Sequence, residues 1–135
     1  MKILLPTSIE LDAQTLPLEP GDVVAEYDPT QPVHEEDADA EVLVVWGNTD
    51  DQLADAAQRL TDLKLIQALL AGPDQIKKAG FGEDVVVCAG IGLHDRTVSE
   101  HALALSLSLV RFLPELARRQ ERREWASELG GAQPL

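Results

Sequence analysis

One segment, Asp84–Leu113 (DVVVCAGIGLHDRTVSEHALALSLSLVRFL), constrains the fold of this chain more than any other. It reads as a strand, a turn with two glycines, and a long helix. The strand is apolar at successive positions, the pattern of a parallel sheet covered on both faces. From Ala102 to Val110 small and large apolar residues alternate, and that period alone suggests another strand. Three features favour a helix: the unbroken reach from Thr97 to Leu113, the strong helix formers Ala and Leu, and an N-cap at Asp95 or Thr97. Wound as a helix, Leu103, Leu105, Leu107 and Leu109 fall on opposing sides. A helix that is apolar nearly all round is buried all round. With 135 residues the chain suits one domain with a modest core. That domain covers one face of the helix; the other face requires a second subunit or a further domain.

The rest of the chain alternates strands and helices. Lys2–Leu5 reads as a first strand closed by Pro6, and residues 7–20 as a loop. A weaker strand is expected over Asp22–Tyr27, then an acidic loop to Ala40. Glu41–Trp46 (EVLVVW) is a continuous apolar strand. Thr49 reads as the N-cap of a helix running to Leu60, with Asp50 and Asp51 in its first turn. Leu63–Leu69 follows as a strand. Pro73 is placed to open a short helix that Gly80 and Gly82 end. Val85–Cys88 is the last strand, with Cys88 read as a small core residue. Pro114 starts a second, arginine-rich helix, and after Trp125 the sequence becomes linker-like. The expectation is an α/β fold: a flavodoxin-like parallel sheet flanked by helices, with a long apolar C-terminal helix that a second subunit or a further domain covers.

Charge and composition narrow the function. The formal net charge is −13, and 14 of the 24 acids precede residue 56, where the only base is Lys2. So acidic a surface repels phosphate backbones and anionic lipids, so neither nucleic acid nor membrane is expected as a partner. The longest uncharged helical run is too short to span a bilayer. Pro6 interrupts the apolar start before it reaches the length of a signal sequence. A single cysteine cannot form an internal disulfide and fits a reducing compartment, so the expected location is cytoplasmic.

Several chemistries fail on their residues. Gly90-Ile91-Gly92 follows a strand and precedes a helix, but the third glycine of a dinucleotide fingerprint is Asp95 here. No acid-tipped strand follows about 20 residues on. His94 and His101 are seven apart, with no third ligand to complete a metal site. A receiver domain shares the architecture, yet its acids and lysine are missing from the strand ends, which carry Pro6-Thr7-Ser8, Trp46-Gly47-Asn48 and Ala89-Gly90.

The runs LKLIQALLAGPDQI, DVVVCAGIGLHDRTVSEHALALSLSLVRFLPE and REW together resemble the D-isomer-specific 2-hydroxyacid dehydrogenases. That family includes phosphoglycerate, glycerate and formate dehydrogenases. The resemblance covers Leu63–Trp125, with V-x-E-H-A-L-A-L at Val98–Leu105 its most specific part. Ser99 replaces a usual alanine, and His94 stands where asparagine is common.

The resemblance implies a flavodoxin-like substrate domain beside a Rossmann domain that binds NAD or NADP, with the active site in the cleft between them. In the family the substrate-gripping arginine, the acid/base histidine and its partner glutamate lie on the Rossmann domain. None of them is matched in this sequence. The expectation is therefore a substrate-domain fragment with the Rossmann cofactor domain absent, inactive and cofactor-free by itself. Its divisions are expected at 1–95 (substrate domain), 96–126 (apolar and basic helices) and 127–135 (truncated linker). The substrate is a small 2-hydroxy or 2-oxo acid. Its carboxylate is expected on the amides of Ala71 and Gly72, although Pro73 lacks the N–H that the next position supplies in the family. Trp46 and Gly47 are expected to line the side-chain pocket, and His94 and Thr97 to face the cofactor. A homodimer through the helix 97–113 completes the expectation. The alternative reading is a non-catalytic, flavodoxin-like dimerising interaction module.

Overall fold

A computed structural model describes residues 1–11, 15–125 and 127–131. Residues 12–14 of the expected first loop, Ala126, and residues 132–135 of the expected linker lie outside the described residues. The chain divides into two compact units, Met1–Leu93 and His94–Leu135.

The first unit is a five-stranded parallel sheet. Its strands are β1 (Lys2–Pro6), β2 (Val23–Tyr27), β3 (Val42–Val45), β4 (Leu65–Ala68) and β5 (Val86–Cys88). They lie in the order β2-β1-β3-β4-β5, the flavodoxin-like order expected from the sequence. Register is continuous across the sheet: Leu4 opposes Ala25 and Leu43, and Leu43 opposes Ile66. Leu4, Leu43 and Ile66 are fully buried and form the centre of the core. Helices α1 (Asp50–Arg59) and α2 (Asp74–Ala79) join the later strands. From α1, Leu53 and Ala56 enter the core; from α2, Ile76 does.

The helix ends follow local chemistry. The Thr49 side chain caps α1 by accepting from the Gln52 N–H, the role its position predicts. Pro73 precedes α2 as its N-cap and does not occupy its first turn. Gly80, at φ 87°, ends α2 in the left-handed conformation that only glycine adopts without strain. At the amino-terminal edge of the sheet, Lys2 Nζ meets Asp37 Oδ1 at 3.0 Å and Asp39 Oδ1 at 2.9 Å. The early acidic segment is thus anchored by the one base that precedes residue 56.

Cys88 is not a core residue: it is exposed, as are Val86 and Val87. The apolar run of β5 imitates a central strand. It pairs with β4 alone, at the edge of the sheet.

In the second unit, α3 (Asp95–Val110) is followed by α4 (Leu113–Glu121). The expected continuous helix to Leu113 breaks at Phe112, whose φ of 56° turns the chain, with Pro114 in the first turn of α4. His94, and neither Asp95 nor Thr97, is the N-cap of α3. No residue of α3 is buried, and Leu103, Leu105, Leu107 and Leu109 are 40 to 68% exposed. Along α4, Glu115 pairs with Arg119 at 2.9 Å, holding the Glu115 carboxyl below its ordinary range. Ser127–Gly131 forms a 3-10 turn whose Glu128 also pairs with Arg119.

Candidate functional site

Parallel strands end together, and their carboxyl ends leave backbone groups without ladder partners. That edge is where open α/β sheets bind ligands. Here β3 and β4 are adjacent, and the Leu69 N–H donates to the Val45 carbonyl at 3.1 Å. The loops that carry Trp46-Gly47 and Ala71-Gly72 therefore leave the same edge side by side. The end of β5 is tied to them, with the Gly90 N–H donating to Leu70 O at 2.8 Å.

The β3 loop is held from several directions. Ser8 Oγ, from the loop after β1, donates to the Trp46 carbonyl at 2.7 Å. The Trp46 N–H donates to Asn48 Oδ1 at 2.9 Å. Gly47 adopts φ +78°, and a Cβ there would stand 3.3 Å from Ser8 Oγ, so both conformation and space call for glycine. Trp46 is half-buried, and Gly47, Ala71 and Gly72 are exposed. Among the described residues the amides of Gly47, Ala71 and Gly72 donate to no acceptor. Exposed N–H groups at neighbouring strand ends suit an anion. Pro73 adds none.

Behind the loop lies a polar cluster that the sequence did not single out. Tyr27, Asn48 and Gln52 are only 3, 9 and 3% exposed. Tyr27 Oη donates to the Val44 carbonyl at 2.7 Å. Asn48 Nδ2 donates to Tyr27 Oη at 2.9 Å and to Gln52 Oε1 at 2.6 Å. Burial pushes the Tyr27 phenol up to about 12, against a smaller opposing effect of its Asn48 hydrogen bond. The i, i+4 spacing of Asn48 and Gln52 was visible in the sequence. That Tyr27 meets them depends on the order of the strands.

His94 and Thr97 belong to the second unit. Both are exposed at the start of α3, where Thr97 Oγ1 donates to the His94 carbonyl at 3.0 Å. In Gly90-Ile91-Gly92 the first glycine answers to packing. A Cβ on Gly90 would stand 2.8 Å from the Leu69 carbonyl, so this glycine is required by packing of the chain on itself. Among the described residues no cluster of His, Cys, Asp or Glu could hold a metal, and no helix is long and apolar enough to cross a membrane.

No family model matches the chain, and no curated protein matches it. Solved structures do. A D-isomer specific 2-hydroxyacid dehydrogenase family protein from Aeromonas salmonicida subsp. salmonicida aligns over 93% of this chain with a TM-score of 0.69 and 23% identity. The two share one fold. D-lactate dehydrogenase from Escherichia coli aligns over all of the chain, with a TM-score of 0.47 and 17% identity. The pyruvate reductase of Chlamydomonas reinhardtii aligns over 99%, with a TM-score of 0.48 and 18% identity. The chain spans 40% of the length of the Aeromonas protein, and 44% and 41% of the other two.

Proposed function

We propose that this chain is the substrate-side domain of an NAD- or NADP-dependent oxidoreductase that interconverts a D-2-hydroxy acid and its 2-oxo acid. One observation carries the reading. In a fold shared with a 2-hydroxyacid dehydrogenase family protein, the adjacent ends of β3 and β4 present three exposed backbone amides without acceptors, at Gly47, Ala71 and Gly72. The motifs across Leu63–Trp125 support it independently. In this reading the amides of Ala71 and Gly72 hold the substrate carboxylate, and Trp46 and Gly47 wall its side chain. His94 and Thr97 face the cofactor. Asp95 stands where a dinucleotide fingerprint has its third glycine, so in this reading the chain's share of the reaction is to bind and orient the acid. Hydride transfer needs an oriented nicotinamide and a proton donor, and this chain alone is expected to turn over no substrate.

The homodimer belongs to the same proposal. The four leucines of α3 are all exposed, and exposed apolar surface of this kind marks an interaction site. We place the protein in the cytoplasm, where its single cysteine, exposed and free, would stay reduced.

Titration of the 15N-labelled chain with pyruvate tests the reading. Shifts are expected at the Gly47, Ala71 and Gly72 amides, and none with pyruvamide, which matches the size without the charge. Shifts elsewhere only, or equal shifts with both, would refute carboxylate binding at this edge.

A further inference from the structure

We infer that Asn48, backed by Tyr27 and Gln52, is a positioning residue that sets the peptide on which Trp46 and Gly47 stand; the inference rests on the site proposed above. The argument begins with a direction. A backbone N–H can only donate, so the Trp46 amide requires an oxygen, and Asn48 presents Oδ1 to it. Turning the Asn48 amide over would set donor against donor. With Oδ1 committed, Nδ2 faces inward and carries two protons, which Tyr27 Oη and Gln52 Oε1 accept. Tyr27 has one proton to give. Val44 O takes it at 2.7 Å, and Asn48 Oδ1, 3.2 Å away, is the longer alternative.

The consequence falls on Gln52. Its oxygen must face Asn48, so its nitrogen faces away, and Gln52 Nε2 is buried without a partner. A buried donor left unmade is a loss of stability. An apolar core at these three positions would avoid that loss. The orphan is the far end of a chain of hydrogen bonds whose near end is the Trp46 N–H. Ser8 fixes the other side of the residue through its carbonyl. The Trp46 backbone is thereby held at both N–H and C=O, at the strand end where the acid is proposed to bind.

Two substitutions at one position separate positioning from filling of space. Asn48→Asp keeps an acceptor for the Trp46 N–H, and Gln52 can then turn its nitrogen toward the carboxylate. Asn48→Leu fills the same space and offers no acceptor. Amide hydrogen exchange at Trp46, read against Val45, is expected to stay slow in Asn48→Asp and to quicken about tenfold or more in Asn48→Leu, with pyruvate affinity falling about tenfold. Tyr27→Phe, which removes one oxygen and keeps the ring, gives the same test if Asn48→Leu does not fold: Trp46 exchange quickens and Val45 does not follow. Slow exchange in Asn48→Leu with fast exchange in Asn48→Asp overturns the inference. So does an unchanged pyruvate affinity in an Asn48→Leu chain whose Trp46 amide is free. If the unsubstituted chain binds no pyruvate, the site reading fails instead, while Trp46 exchange still decides the role of Asn48.

Discussion

Tyr27 shows how one buried hydroxyl ties stability to pH. Burial raises its phenol to about 12 from an ordinary value of 10.0. The folded chain therefore holds this proton to higher pH than the unfolded chain. The stability linked to it is fully present below the unfolded value and is lost as pH rises through the folded one. As Tyr27 is the only tyrosine, tyrosinate absorbance reports it alone. The native titration is expected near the raised value, and the urea-unfolded titration near the ordinary one. Tyr27→Phe is expected to lose about 1 kcal/mol at neutral pH and to show a weaker alkaline decline in urea midpoint. A native titration at the ordinary value would show the phenol to be solvated. The loops of the candidate site were legible in the sequence because each follows a strong strand. The cluster behind them was not: Asn48 and Gln52 are near in sequence, but Tyr27 reaches them only because β2 and β3 flank β1.

At the scale of the element, apolar continuity located all five strands, and caps located α1. Strand ends shifted by a residue or two because apolar runs continue past the last ladder bond. Leu63 belongs to the core although β4 begins at Leu65. Cys88 was misread because periodicity reports what a strand buries only when something covers it, and an edge strand looks the same in sequence. The turn after β5 makes a sharper claim. Gly90 lies against the Leu69 carbonyl, whereas a Cβ on Gly82 would meet first the end of the Asp84 side chain, 2.7 Å away. A backbone cannot step aside as a side chain can. Gly90→Ala is expected to destabilise the fold by about 1–3 kcal/mol, and Gly82→Ala by much less. Chemical denaturation of the two variants checks this, and equal losses would mean that the turn relaxes freely.

For the whole molecule, the net charge and the leucines of α3 fall in different units. Residues 1–93 hold eighteen acids against five bases, while residues 94–135 hold six of each. All of the net charge therefore sits in the first unit, and the four exposed leucines of α3 sit in the second. Association through α3 is favoured by its apolar surface and opposed by repulsion between two strongly acidic units. Salt screens that repulsion over about 10 Å at 0.1 M and leaves the apolar term in place. Dimerisation is thus expected to strengthen with added sodium chloride, the reverse of an interface held by ion pairs. Leu105→Lys with Leu109→Lys should leave the fold intact, since both side chains are already exposed, and should hold the chain monomeric. Size exclusion with light scattering across a salt series reads both effects. A chain that stays monomeric at high micromolar concentration and high salt would rule out α3 as the interface. A dimer that weakens with salt would move the contact to the acidic unit, with the arginines of α4 as its partner.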